Sequence, residues 1–107
     1  MTYSVRLEKD AIEQLVAIEA YVAAEADPLT AAGFVDRILD TCAGLRVFPY
    51  RGRARDDVWD GLRITGYRKR VTIAFTVDEA TKTVGVVGIF YGGQDWEARL
   101  RNRTVSK

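Results

Sequence analysis

Val71, Ile73, Phe75 and Val77 recur at every second position. Only an extended chain puts all four on one face, so this stretch must be a strand. The polar segment Asp78-Glu79-Ala80-Thr81-Lys82 follows, and Val84 to Tyr91 then runs apolar at both parities, interrupted by Gly85 and Gly88. A polar connection of that length returns the chain on itself, which predicts an antiparallel hairpin of strands over Arg68–Val77 and Val84–Tyr91. The second strand has no polar face to offer water. It belongs in the centre of a sheet, covered on both sides, with its glycines marking a bend or a close approach. The remaining segments must supply that cover.

Upstream, Tyr3 to Leu7 alternates apolar and polar and reads as a short first strand. Ala11, Leu15, Ile18 and Val22 follow helical spacing, with Ile12 and Tyr21 flanking the stripe and Glu13, Gln14 and Glu19 assigned to water. Asp27-Pro28 ends this helix and starts another, because aspartate caps a helix N-terminus and proline suits its first position. The second helix is expected from Pro28 to Phe48, with Ala31, Val35, Ile38, Cys42 and Leu45 inward, Phe34 and Leu39 widening the face, and Pro49 ending it. Residues 50–57 read as an arginine-rich loop, Val58 to Ile64 as a strand interrupted at Asp60-Gly61, and Gly66 as a tight turn. Gly92-Gly93 closes the last strand. Gln94 to Arg101 reads as a short helix packing Trp96 and Leu100 inward, and residues 101–107 as a fraying end. The sum is a single α+β domain over residues 1–107: an N-terminal strand, a two-helix antiparallel hairpin packed on a small antiparallel sheet, and a short C-terminal helix.

The composition removes several function classes. There is no histidine and one cysteine among 107 residues. Histidine-based catalysis and a zinc site are therefore not expected, and Cys42 reads as core packing. No metal, cofactor or membrane span is expected, and a cytoplasmic location follows by default from the absence of a signal-like opening. Charge is unevenly spread: residues 1–50 carry a net −4 and residues 51–107 a net +5. An acidic partner for the second half is one reading of that asymmetry, and differently solvated faces are the other.

Taken together these residues resemble the ParE/RelE superfamily of small bacterial toxins, and within it the ParE-like branch. The resemblance rests on Ala11, Leu15, Ile18 and Tyr21-Val22 in the first helix, and on Ala32 and Phe34 in the second. It continues through Leu45, Phe48-Pro49 and Gly52, Gly61-Leu62-Arg63, Tyr67-Arg68, and the strand end Ile89-Phe90-Tyr91-Gly92-Gly93-Gln94-Asp95-Trp96. It implies the toxin of a type II toxin–antitoxin pair, neutralised by a ParD-like antitoxin from the same operon and acting on DNA gyrase by binding. The alternatives are a RelE-like, ribosome-dependent mRNA endoribonuclease and a non-toxic antitoxin-binding module.

Position weighs against the nuclease. Where RelE-like enzymes carry an arginine in the long central strand this chain has Thr72. Where they carry one after the last strand it has Gln94, and their late tyrosine falls near Leu100. Many ParE-like members have histidine, glycine and arginines where this chain has Tyr91-Gly92-Gly93-Gln94. No catalytic residue is assigned. The target-binding candidates are Arg51, Arg53, Arg55, Arg63, Arg68, Arg70, Tyr91 and Trp96, residues 51–70 alone carrying a net +4. For Trp96 the reading as a core plug is the stronger one. The antitoxin-binding candidates are Leu29, Val47, Trp59, Tyr67 and Arg68. The resemblance further implies contact with DNA only through the antitoxin, and a hetero-oligomer.

Overall fold

The computed structural model describes residues 2–105. Five strands form one sheet: β1 (Ser4–Leu7), β2 (Arg53–Ala54), β3 (Arg63–Tyr67), β4 (Val71–Asp78) and β5 (Thr83–Tyr91), in the order β1-β5-β4-β3-β2. Three α-helices lie among the described residues: α1 (Lys9–Glu25), α2 (Pro28–Ala43) and α3 (Trp96–Val105). The β4–β5 hairpin is central, and β5 is buried along nearly its whole length. β1 joins the outer edge of β5 in parallel, so the sheet is mixed at that edge and antiparallel elsewhere. A parallel neighbour needs a crossover, and the α1–α2 hairpin with the segment after it provides the way back.

The two faces of the sheet hold separate cores. Ala11, Leu15, Ile18, Ile38, Cys42 and Leu45 from the helical hairpin pack on Val71, Ile73, Phe75, Val84, Val86 and Ile89. The opposite face gathers Leu62, Ile64, Ala74, Val87 and Phe90 beneath Leu100 of α3, with Val58, Trp59 and Trp96 at its margin. This explains why β5 is apolar at both parities. The parity changes within the strand because Phe75 pairs with Val86 whereas Ala74 pairs with Gly88, leaving Val87 as a bulge. Gly88 allows this: a Cβ there would lie 2.6 Å from the buried Phe90 ring.

Helix boundaries follow local chemistry. Asp27 caps α2, its side chain accepting the Thr30 amide and the Thr30 hydroxyl, each at 2.8 Å. Those bonds hold the Asp27 carboxyl below its ordinary range, the Thr30 amide contributing most. α2 stops at Ala43, and Gly44–Arg46 continue as a single 3-10 turn, so the expected helix to Phe48 is too long. α3 extends further than expected, through 101–105, while residues 106–107 lie outside the described part.

Four local expectations are corrected. Gln14 does not face water: its side-chain oxygen accepts the Ile89 amide at 2.7 Å, beyond the last β5 residue that β1 pairs. Val58 to Gly61 forms turns, and Val58 and Trp59 pack from there onto the second core. The turn into β4 falls at Arg68-Lys69, not at Gly66, which is paired with Thr72 inside β3. The loop assigned to residues 50–57 also contains the two-residue edge strand β2. Gly52, at φ +76, makes that pairing possible, because a Cβ there would sit 2.0 Å from the Ile64 carbonyl oxygen.

Candidate functional site

The β3–β4 turn is closed by the Arg70 amide donating to the Tyr67 carbonyl at 3.1 Å. Its two central residues, Arg68 and Lys69, have φ of 52° and 60°. This is the left-handed region that glycine and asparagine usually fill, so two long cationic side chains occupy a turn whose backbone disfavours them. The arrangement trades local stability for charge at the end of the sheet.

Beside this turn lies the end of β5. The Tyr91 ring packs on Phe34 of α2 and on Tyr21 of α1, at centroid distances of 5.6 and 5.7 Å, and Phe34 also meets Tyr67 at 5.8 Å. These four rings come from both helices and two strands, and together they form the floor of a surface depression. Two recesses adjoin these rings. One, of about 560 Å³, is lined by Phe34, Arg37, Tyr67, Arg68 and Arg70. The other, of about 410 Å³, is lined by Ala17, Ile18, Tyr21, Ile89, Tyr91, Gly92 and Gly93 together with Gln14, Gln94 and Arg99.

Arg37, Arg68, Lys69 and Arg70 make no ion pair among the described residues. Arg37 spends one donor on the Gly33 carbonyl at 3.1 Å, Arg68 lies over the Tyr67 ring at 5.8 Å, and Arg70 points a guanidinium nitrogen at the Tyr91 hydroxyl, 3.5 Å away. Most of their hydrogen-bonding capacity therefore faces outward.

The other arginine candidates are placed differently. Arg55 is tied to Asp57 and Glu97 and lies over the Trp96 ring at 5.0 Å, leaving 17% of its side chain exposed. The Arg55 hydrogen bond is the main cause that lowers the Asp57 carboxyl to about 2. Arg63 donates to the Tyr50 carbonyl and lies over the Tyr50 ring at 5.5 Å, so it pins the segment leading to β2. Its Nε is buried without a partner. Arg51 and Arg53 are exposed, Arg53 on the edge strand β2. Trp96 is half-buried against the second core, in keeping with the plug reading, and Trp59 donates its indole N–H to the Leu100 carbonyl at 3.1 Å. Leu29 and Val47 are exposed, and neither lines the two recesses. Of all the candidates the structure thus brings together Tyr67, Arg68, Arg70 and Tyr91.

Sequence reasoning did not single out Arg37 or Tyr21 for the site. The available signal was the spacing of Arg37 from Phe34, since residues three apart on a helix share a face.

Far from this end, Glu79 in the β4–β5 turn accepts from the Tyr3 hydroxyl at 2.8 Å, from the Tyr50 hydroxyl, and from Lys82 at 2.8 Å. Lys82 foremost, with Tyr50 and Tyr3, lowers its carboxyl to about 2. This cluster anchors β1 and the segment after α2 to the hairpin tip. Cys42 is buried, and loss of hydration raises its thiol to about 11, so it is an inert core residue. No group of potential metal ligands occurs among the described residues, and no described helix is long and apolar enough to cross a membrane.

A mixed five-stranded sheet between a helical hairpin and a C-terminal helix is the fold of the ParE/RelE-like toxins. The toxin–antitoxin structures that share it include the chromosomal ParDE system from P. aeruginosa, with TM-score 0.73, 20% identity, and coverage of 84% of this chain and 96% of that one. They also include the RelBE2 complex from Mycobacterium tuberculosis, with TM-score 0.56, 18% identity, and coverage of 85% and 99%. At these identities the likeness speaks for the fold. No curated protein matches the chain at a significant level. The family profile described as the ParE toxin of the type II toxin–antitoxin system parDE matches residues 5–96. The chain belongs to that family and is a type II toxin, as the resemblance in its sequence implies.

Proposed function

We propose that this toxin arrests growth by binding DNA gyrase without cleaving a substrate, and that a ParD-like antitoxin encoded in the same operon holds it inactive. The observation that carries the binding part is the turn Arg68-Lys69-Arg70. It presents cations without ion-pair partners among the described residues, on a backbone that disfavours them, beside a half-buried aromatic floor. Such a surface suits recognition of an acidic protein face, where cations steer encounter and aromatics anchor. Gyrase as the target follows from the family.

The antitoxin reading is supported by exposed apolar side chains outside the two recesses. Leu29, Val47 and Phe48 are 83%, 57% and 67% exposed, and a partner segment folding over them would remove that surface from water. The partner is a short protein with a DNA-binding dimerisation domain and a C-terminal half that folds on the toxin. The complex is a cytoplasmic hetero-oligomer that meets DNA only through the antitoxin.

One observation favours a second reading. Arg70 lies next to the Tyr91 hydroxyl, and a phenol beside a guanidinium is a pairing that RNA cleavage by a histidine-free enzyme can use. Thr72 and Gln94, where RelE-like enzymes carry arginines, weigh against it. Gln94 instead receives the Tyr91 amide at 3.2 Å and finishes the strand.

Supercoiling of relaxed plasmid by purified gyrase tests the proposal. The toxin is expected to inhibit it, its antitoxin to restore it, and the Arg68→Glu, Arg70→Glu double variant to lose inhibition while keeping its fold. Full gyrase activity at saturating wild-type toxin would overturn the target.

A further inference from the structure

Phe34, Arg37, Tyr67, Arg68 and Arg70 line one recess, so it holds three arginines and no carboxylate. Arg37 comes from α2, and Arg68 and Arg70 from the β3–β4 turn, so the fold gathers cations that stand far apart in the chain.

Each arginine is held by a contact that leaves its charge unanswered. Arg37 donates to the Gly33 carbonyl at 3.1 Å, Arg70 to the Tyr91 hydroxyl at 3.5 Å, and Arg68 lies over the Tyr67 ring at 5.8 Å. All three are exposed, and none makes an ion pair among the described residues. Asp36 and Asp40 neighbour Arg37 on α2, yet neither pairs with it or lines the recess. Elsewhere the fold supplies carboxylates to its arginines: Asp57 and Glu97 to Arg55, Asp57 to Arg101, and Glu8 and Asp10 to Arg103.

Like charges gathered at one recess repel, and an anion that enters relieves the repulsion. The donors decide which anion. A carboxylate is planar, and a single arginine fork already serves both of its oxygens. A phosphate group is tetrahedral and doubly charged, and its oxygens accept from several sides at once. Three guanidinium groups from two directions of the chain match the second shape.

We propose that the Arg37–Arg68–Arg70 recess binds a phosphate group, either free or carried by a small molecule such as a nucleotide. This goes beyond the reading of the target. Arg68 and Arg70 also belong to the surface proposed for gyrase, so a phosphate in the recess and the target exclude each other there.

Isothermal titration calorimetry on the purified toxin tests the site, at constant ionic strength and at a slightly alkaline pH where inorganic phosphate is a dianion. Phosphate is expected to saturate with a Kd of about 1 mM. Arg37→Gln, Arg68→Gln and Arg70→Gln should each weaken it about tenfold. Arg6→Gln removes the same charge from edge strand β1, across the sheet from β3, and should change it by less than about twofold. All four side chains are exposed, and circular dichroism confirms that each variant folds. Adenosine monophosphate is titrated alongside. Tighter binding than phosphate assigns a nucleotide and equal or weaker binding assigns free phosphate, and either result supports the site. The proposal is overturned if phosphate fails to saturate at about tenfold above the expected Kd. It is overturned if acetate binds as tightly as phosphate, or if Arg6→Gln weakens binding as much as the recess variants, which marks a response to net charge. It is also overturned if an oligothymidylate without a terminal phosphate binds more tightly than both probes, which marks a nucleic acid site. Gyrase is absent from the titration, so failure here leaves the target reading standing.

Discussion

The guanidinium of Arg70 reaches the hydroxyl of Tyr91 at 3.5 Å, joining the last residue of the β3–β4 turn to the last residue of β5. The phenol oxygen is the only part of Tyr91 that this contact needs; the ring packs independently on Phe34 and Tyr21. Tyr91→Phe therefore separates surface from chemistry. Under the binding account it keeps growth arrest, with a stability change below about 1 kcal/mol. A folded Tyr91→Phe protein that no longer arrests growth would point to proton transfer by the phenol.

Lys69 is the second left-handed residue of its turn, at φ 60°. Glycine there relieves the Cβ conflict, so Lys69→Gly should stabilise the fold by roughly 1 kcal/mol. For a domain near this size that is a rise of about 4–8 °C in Tm. The same variant should weaken target binding, because it removes one exposed cation. Thermal melts and the supercoiling assay measure the two effects on one sample. An unchanged or lower Tm would contradict the reading of the turn as strained.

Glu79 couples the fold to acid. Its carboxyl stands at about 2 in the fold against an ordinary 4.5, through Lys82 first and then Tyr50 and Tyr3. Because the folded value is depressed, the contribution is complete above pH 4.5 and is lost as pH falls toward 2. Glu79→Gln should lower the urea midpoint at neutral pH, and the gap from wild type should close across that window. Asp57, also held at about 2, titrates over a similar range, so the variant keeps some acid sensitivity of its own. A gap that stays constant with pH would contradict the assignment.

Gly88 and Phe75 test the two cores. Phe75 is fully buried beneath the helical hairpin, and Phe75→Ala should cost about 3–5 kcal/mol. Gly88→Ala drives a methyl into the Phe90 ring and should cost about 1–3 kcal/mol despite adding apolar surface. Urea unfolding measures both. A neutral Gly88→Ala would mean the bulge does not depend on that contact.

The hairpin was legible because burial leaves a direct trace. Val71, Ile73 and Phe75 alternate, and β5 is apolar throughout because each of its faces meets a core. The Asp27-Pro28 cap was legible because it is local chemistry. The β3–β4 turn was not, because Arg68 and Lys69 break the usual link between a left-handed turn and glycine. Gln14 was misplaced because its partner, the Ile89 amide, lies 75 residues away, on β5 beyond the last residue that β1 pairs. At the site, the charge of residues 51–70 was visible as a cluster, yet its members part company in the fold. Arg55 and Arg63 turn inward to Glu97 and Tyr50, while Arg68 and Arg70 join Arg37 from a different element. Side chains in one charged run can serve two purposes, and only their partners tell which.

The central claim is that this toxin stops replication by binding. It is tested most directly by inducing the chain alone in bacteria and following labelled thymidine and labelled methionine incorporation over minutes. The account predicts that thymidine incorporation falls first, while methionine incorporation continues. An early stop in methionine incorporation, with mRNA cut on ribosomes, would contradict it and assign the Arg70–Tyr91 pair to RNA cleavage.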